Sequence, residues 1–311
     1  MVSAMPMTSD VKATKGNTCA IVVTYHPDAL IVDRLCIVLA QFPRVIIVDN
    51  GSDETKQAML MAFAAEQEIF LVVNQANLGI AKALNQGMAQ ALLEGFSWAV
   101  TLDQDSEIFS DMLETLLAVN AECGFDKVLV GGNYENVNKK KNFVDCDTGD
   151  KGFLERKTLI TSGTLIPLRL ATNIGGFRED YFIDSVDHEF CLRARANGFK
   201  ILITCKPVMR QRIGATIEAS AWLSNFASFN HSPLRKFYIA RNTLVTAREY
   251  CAREPAWALR QGWRLLSDFG SILVFETDKY RKAKAFLLGI VDGIKGKMGP
   301  LTDEQRKSLG S

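Results

Sequence analysis

The sequence predicts an α/β fold: a mostly parallel central sheet flanked by helices, followed by a helical C-terminal extension. Three observations carry this. Apolar, β-branched runs alternate with helically spaced segments through the first half of the chain, the signature of strand–helix repeats around a parallel sheet. Polar clusters fall directly after several of those runs. From about residue 210 onward the strand-like runs give way to three long helical segments.

Each element follows in order. CAIVVTY (19–25) is a continuous β-branched run, as a strand buried on both faces requires. HPDALIVDRLCIVLAQF has helical spacing and stops at Pro43. RVIIVDNGS is a second buried strand ending in a polar turn, DETKQAMLMAFAAEQE a helix, and IFLVVNQ a third strand. ANLGIAKALNQGMAQALLEG is a glycine-opened loop entering a helix, and FSWAVTLDQDS a strand ending in acids. DMLETLLAVNAEC is helical and KVLVGGNYE a further strand. The stretch from about 135 to 157 is rich in lysine and asparagine and reads as a solvent-facing hairpin or loop. LITSGTLIPL resumes a strand, and GGFREDYFIDSVDHEFCLRARANGFKILI gives loop, helix and strand. RNTLVTAREYCARE, WALRQGWRLLSDFGSILVFE and RKAKAFLLGIVDGIKGKMG are the helical segments of the extension. A boundary near 210 therefore separates a sheet domain (18–210) from a helical part (211–311).

The chain has 311 residues, 48% hydrophobic and 23% charged. That is globular composition and excludes a disordered chain. A formal net charge of +1 offers nothing to nucleic acid. The seven cysteines are scattered with no C-x-x-C pair. That argues against a disulfide framework and a cysteine zinc site, and fits a reducing compartment. The N-terminal residues lack the apolar core of a signal peptide, and no uninterrupted apolar run reaches the roughly 18 residues of a spanning helix. A soluble, cytoplasmic protein is the expectation.

Four constellations carry chemistry. Asp103 and Asp105, two apart where a strand leaves the sheet, supply hard oxygen ligands for Mg²⁺ or Mn²⁺. A metal there would bridge a diphosphate. D-x-D alone also describes a surface turn, and its place after the apolar WAVTL is what raises it. Asp49 and Asn50 follow VIIV and suit a nucleobase edge or a ribose, although D-N-G-S makes an Asx turn equally well. Asn77-Leu78-Gly79 opens a helix whose N-terminus favours anionic phosphate, with Lys82 adding charge; an ordinary cap reads the same way. Asp187 starts an amphipathic helix, where the N-terminus stabilises the carboxylate anion and suits it to general-base work; simple capping is the alternative.

In order, AIVVTYHPD, VIIVDNGSDE, NLGIAKALNQG, VTLDQDS, TSGTLIP, GGFREDYFIDSVDHEFCLRARANGFKI and HSPLRKFYIARN resemble the family 2 glycosyltransferases of GT-A fold, most of all the bacterial rhamnosyltransferases. The resemblance covers roughly residues 18–250. It implies a nucleotide-diphospho-sugar donor such as dTDP-rhamnose, a glycan or lipid-linked acceptor, and inversion by single displacement. Thr24, Asp49 and Asp103 would contact the nucleoside diphosphate, with Asn77 and Lys82 nearby. Asp105 would be the principal metal ligand, Gly163 would line the donor-sugar pocket, and Asp187 would be the base. His231, Arg235 and Arg241 lie in a segment the family places near the active-site mouth, where His231 and Arg241 would meet the donor; a purely structural role for each is the alternative. Two departures stand out. Val186 occupies a position where the family often has Glu, and KPVMRQRIGA lacks a histidine that the rhamnosyltransferase-like proteins often carry, so Arg210, Arg212 or His231 must compensate. The basic, apolar segment KYRKAKAFLLGIVDGIKGKMG suits anionic lipid, or packing on the domain or on another subunit of a homo-oligomer. A nucleotidyltransferase would share the strand–helix plan, but TYHPDAL lacks its phosphate loop. An inactive sugar-binding scaffold would have no need to keep both Asp105 and Asp187.

Overall fold

The computed structural model describes residues 11–124, 127–138, 140–147, 151–211 and 230–309. Contacts divide the chain into two compact units. The first comprises Met1–Leu78, Ala83–Gly176 and Cys191–Arg212; the second comprises Gly79–Lys82, Phe177–Phe190 and Ile213–Ser311.

The first unit is built on β1 (Thr18–Thr24), β2 (Val45–Asp49), β3 (Phe70–Val73) and β4 (Trp98–Asp103), all parallel. The helices α1 (Ile31–Leu39), α2 (Glu54–Glu66) and α3 (Ile80–Leu93) connect them. All residues of β1 and β2 are buried, which is why these strands read as unbroken apolar runs rather than alternating ones. A short β5 (Glu107–Ile108) and helix α4 (Met112–Cys123) precede β6 (Val128–Asn136). The chain continues through β7 (Lys141–Asn142), β8 (Phe153–Glu155), β9 (Thr164–Pro167), α5 (Leu168–Asn173), α6 (Val186–Ala196) and β10 (Lys200–Gln211). The sheet runs β3-β2-β1-β4-β9-β6-β10-β5. One central strand reverses: β9 is antiparallel to both β4 and β6. The apolar run of LITSGTLIPL shows a strand but carries no sign of its direction.

The polar stretch from 135 to 157 starts as the expected hairpin, with β7 antiparallel to the end of β6. It is also tied down, because Cys146 forms a disulfide with Cys205 on β10, Cα to Cα 5.6 Å. The sequence argues against a disulfide framework, and this one pair is what the described residues show. The two lie 59 residues apart, and only the placement of β10 beside β6 brings them together. Cys19, Cys36, Cys123, Cys191 and Cys251 carry no disulfide.

The second unit contains α7 (Pro233–Tyr250), α8 (Pro255–Val274) and α9 (Lys279–Lys295). Ser232 caps α7 by accepting from the Arg235 amide, so the helix begins eight residues before the segment that reads as helical in the sequence. Helix α9 lies close against α7 because two of its residues have no side chain. A Cβ on Gly289 would come within 2.3 Å of the Phe237 carbonyl, and one on Gly293 within 3.2 Å of that of Arg241. Phe286, Ala240, Leu265 and Ile272 fill the core among the three helices. Beneath them lies a buried ion cluster, in which Glu276 receives both Lys236 and Lys282. No helix among the described residues is long and apolar enough to cross a membrane.

Packing yields a paired test. In α3, a Cβ on Gly87 would sit 2.4 Å from Ile21 Cγ2 on β1. Gly87→Val should lower stability by about 1–3 kcal/mol, as overpacking does. Gly262 on α8 meets nothing within 4 Å. Gly262→Ala should raise stability by about 0.5–1 kcal/mol through helix propensity. Urea midpoints at unchanged slope check both.

Candidate active site

The candidate groups form two constellations, one within each unit. In the first unit the parallel register sets Thr24 opposite Asp49 across β1 and β2, and Val23 opposite Asp103 across β1 and β4. The polar strand ends thus share one edge of the sheet, where open α/β sheets bind ligands.

Asp49 is fully buried. Its Oδ1 accepts from the Thr24 hydroxyl (2.9 Å) and the Ser52 hydroxyl (2.5 Å), and its Oδ2 from the Ser52 amide (3.0 Å). Asn50 is a hub. It accepts from Asn74 Nδ2 (3.2 Å) and the Leu78 amide (3.0 Å), and donates to Asn77 Oδ1 (3.1 Å). Gly51 turns the chain here at φ +86, and a Cβ on it would meet Ala76 backbone at 2.4 Å. Glycine is required by both conformation and space.

The Asp103-Gln104-Asp105 turn is held at its centre. Gln104 accepts from the Tyr25 amide (2.7 Å) and donates back to the Tyr25 carbonyl (3.1 Å), tying the ends of β4 and β1. The Asp103 amide donates to Ser162 Oγ (3.1 Å), and Ser162 shares a 2.6 Å hydrogen bond with Ser106. Ser106 in turn donates to Gln211 (3.2 Å). Asp103 is half-buried and Asp105 exposed. Gln104, Ser106 and Ser162 were not singled out in the sequence; Ser162 stands beside Gly163 in the quoted T-S-G, the one visible signal. Gly163 itself is buried in the turn just before β9, at φ +74. Its amide donates to the Thr101 carbonyl (2.7 Å), and its Cβ direction is filled by Met209 and Met112. A side chain at this position would therefore have no room.

Among the described residues no cluster of three or more His, Cys, Asp or Glu side chains could cage a metal. Two carboxylates on one turn fit the other mode, in which Mg²⁺ or Mn²⁺ takes one or two protein oxygens and the rest from phosphates.

In the second unit the loop before α6 is strained. Phe182, Asp184 and Ser185 all have positive φ, at 65°, 61° and 59°, which costs energy for residues with side chains and marks functional loops. Helix α7 holds it. Asn242 is fully buried, and its Nδ2 donates to the carbonyls of Tyr181 (2.9 Å), Ile183 (2.7 Å) and Asp184 (3.0 Å). Arg241, 2% exposed, donates to the carbonyls of Gly299 (2.7 Å) and Asp180 (3.3 Å) and stacks on Phe237 and Tyr238. The Arg241 donors are spent on the protein, as in the structural role that the sequence leaves open for it. The Tyr181 hydroxyl meets Thr246, and Arg235 pairs with Asp184 at 3.2 Å. Burial pushes the Asp184 pKa up, against the opposing charge of Arg235.

Asp187 lies in the first turn of α6, half-buried, its Oδ1 accepting from the His188 amide (2.8 Å). The helix-opening Gly79 is packed against Phe182, and the Ile80 amide donates to the Phe182 carbonyl (2.8 Å). One amide of the expected phosphate cradle is thus already used. Lys82 is half-exposed and pairs with Glu179 at 3.0 Å. His231 is pushed down to about 4, first by burial and then by the charges of Arg235 and Lys236, and is a neutral imidazole at neutral pH.

A curled, mostly parallel sheet with polar strand ends, an acidic turn after β4 and C-terminal helices is the GT-A arrangement of glycosyltransferases. The chain belongs to glycosyl transferase family 2, whose pattern matches residues 19–179. It is 27% identical over 300 residues to the dTDP-rhamnosyl transferase RfbF of Shigella flexneri, covering 91% of this chain and 97% of that one. Solved structures of the same fold include S. aureus TarS 1–349 in complex with UDP (TM-score 0.59, 17% identity, 90% of this chain and 83% of that one). Another is the mannosyltransferase PcManGT from Pyrobaculum calidifontis in complex with GDP-Man and Mn²⁺ (TM-score 0.53, 17% identity, 90% and 88%). The chain is a glycosyltransferase, and the nucleotidyltransferase alternative falls.

Two measurements test this geometry. Asn242→Ala removes the donor to the Ile183 and Asp184 carbonyls, while the Tyr181 carbonyl keeps the Ile183 amide and Arg241, and should cost about 1–3 kcal/mol in urea unfolding. His231 has a folded pKa below its unfolded value, so its contribution is present above about pH 6.5 and is lost as pH falls toward 4. His231→Gln should flatten the stability slope in that window.

Proposed function

We propose that the chain is an inverting, metal-dependent glycosyltransferase that moves L-rhamnose from dTDP-rhamnose to a glycan or lipid-linked acceptor in cell-surface polysaccharide synthesis. The observation that carries it is the acidic turn after β4, pinned through Gln104 to the end of β1 and in register with Thr24 and Asp49. The name of the Shigella relative supports the donor, and the Mn²⁺ in the Pyrobaculum complex supports a divalent cation.

Residues 18–210 form the nucleotide-sugar-binding and catalytic domain in this reading, and 211–311 the helical extension. Asp105 is the principal ligand of Mg²⁺ or Mn²⁺, with Asp103 facing the ribose or a metal-bound water. The cation, when bound, neutralises charge developing on the departing diphosphate. Thr24 and Asp49 form a rigid floor at the nucleoside end, with Asn77 held beside them by Asn50. Lys82 adds positive charge for phosphate, in exchange for its pairing with Glu179. His231 offers a neutral imidazole as a hydrogen-bonding group.

Asp187 accepts the proton of the acceptor hydroxyl. The freed oxygen attacks the anomeric carbon, the bond from that carbon to the diphosphate oxygen breaks, and its electron pair leaves with the nucleoside diphosphate. Attack from the opposite face inverts configuration, and no enzyme nucleophile is needed. The protein is placed in the cytoplasm, with peripheral contact at the inner face of the cell membrane.

Two experiments test the reading. Asp187→Asn should lower transfer by about 10²–10⁴-fold, the usual contribution of a general base, while a thermal shift by nucleoside diphosphate persists; normal turnover sinks the assignment. EDTA should abolish transfer and Mn²⁺ restore it. Activity untouched by EDTA excludes the metal role.

A further inference from the structure

We propose that the outward side of α8 is a docking surface for an anionic lipid membrane. This rests on the peripheral-contact reading above and moves its centre from α9 to α8. Leu259, Trp263, Leu266, Leu273 and Val274 are all exposed, Leu259 and Trp263 by 76% and 73%. Their spacing puts them on one side of the helix, opposite the buried Trp257, Gln261, Leu265 and Ile272. The stripe runs for about 22 Å at a helical rise of ~1.5 Å per residue. Helix α9, in contrast, commits Ala285, Phe286 and Gly289 to the core and keeps a second exposed row that includes Tyr280 and Leu287.

Charge selects the occupant. Between residues 253 and 297, eight exposed Lys and Arg side chains face solvent against a single exposed carboxylate, Asp278. The other acids of this stretch are buried or half-buried, Glu276 within its lysine cluster. Arg260 and Arg264 stand on α8 beside the apolar stripe and Lys279, Arg281, Lys284 and Lys295 on α9; a second copy of the chain seated on these helices would bring like charges together, whereas anionic headgroups complement them. Trp263 and Tyr280 are side chains that settle at the headgroup level. Within the same unit the inner side of α8 reaches the candidate base segment, where the Trp257 ring meets His188 edge-on, centroids 6.0 Å apart. A lipid-linked acceptor suits a helix that faces the membrane on one side and the Asp187 segment on the other.

The test is co-sedimentation of the full chain with vesicles of mixed phosphatidylglycerol and phosphatidylcholine, against vesicles of phosphatidylcholine alone. Wild type should bind only the anionic vesicles and be released by high salt. The double variant Trp263→Gln, Leu266→Gln, changed at exposed positions, should lose at least about tenfold in partitioning, as befits two apolar side chains withdrawn from lipid. Its unfolding midpoint and its thermal shift with nucleoside diphosphate and Mn²⁺ should be unchanged. Absence of binding to anionic vesicles, undiminished binding by the variant, or a solution dimer that the variant dissolves each overturns the proposal. Because nucleotide binding is read separately, failure of vesicle binding leaves the transferase reading standing, and loss of the nucleotide shift alone leaves the membrane surface standing.

Discussion

The parallel pairing of β1 with β2 on one side and β4 on the other is the constraint on which the candidate site at the strand ends depends. Adjacent strands lie about 4.8 Å apart, so the ends of these three strands fall within about 10 Å of one another. Thr24 stands opposite Asp49, and Val23 opposite Asp103. Slipping one strand by a residue would turn its side chains to the opposite face and carry Thr24, Asp49 or Asp103 out of the register they share. The hydrogen bonds at the edge then refine what register has set. Gln104 bridges to Tyr25, and Ser162 holds the Asp103 amide.

The second unit solves a different problem, that of keeping a strained loop in one shape. Three residues with side chains at positive φ persist only where neighbours over-determine them. Asn242 and Arg241 supply that determination by donating to carbonyls from Asp180 to Asp184. Both stand on α7, whose own position rests on the close approach of α9 at Gly289 and Gly293. A chain of backbone contacts therefore runs from two glycines, through α7, to the loop that precedes Asp187.

This arrangement separates residues of similar chemistry by availability. Arg235 and Arg241 are six positions apart on one helix. Arg235 reaches Asp184 from an exposed position, and Arg241 is enclosed with its donors spent. Asp49 and Asp105 both end strands or follow one, yet Asp49 is sealed within a hydrogen-bond cage and Asp105 is open. Glycosyl transfer needs both kinds: rigid polar groups that set shape, and exposed ones that meet ligand.

The strand–helix order, the buried character of β1, β2 and β4, and the positions of the polar clusters that end them are all legible in the amino-acid order. These are local properties, written in hydrophobic period and turn chemistry. Membership of the family was legible too, because its short motifs recur in order along the chain. Long-range packing set the antiparallel direction of β9, the Cys146–Cys205 pairing, the crowding around Gly163 and the enclosure of Arg241. It also decided which apolar face of the C-terminal helices is covered, α9 turning Phe286 inward and α8 leaving Trp263 outside. Each of these depends on which distant segment arrives beside a residue, and a side chain's type does not specify its neighbours.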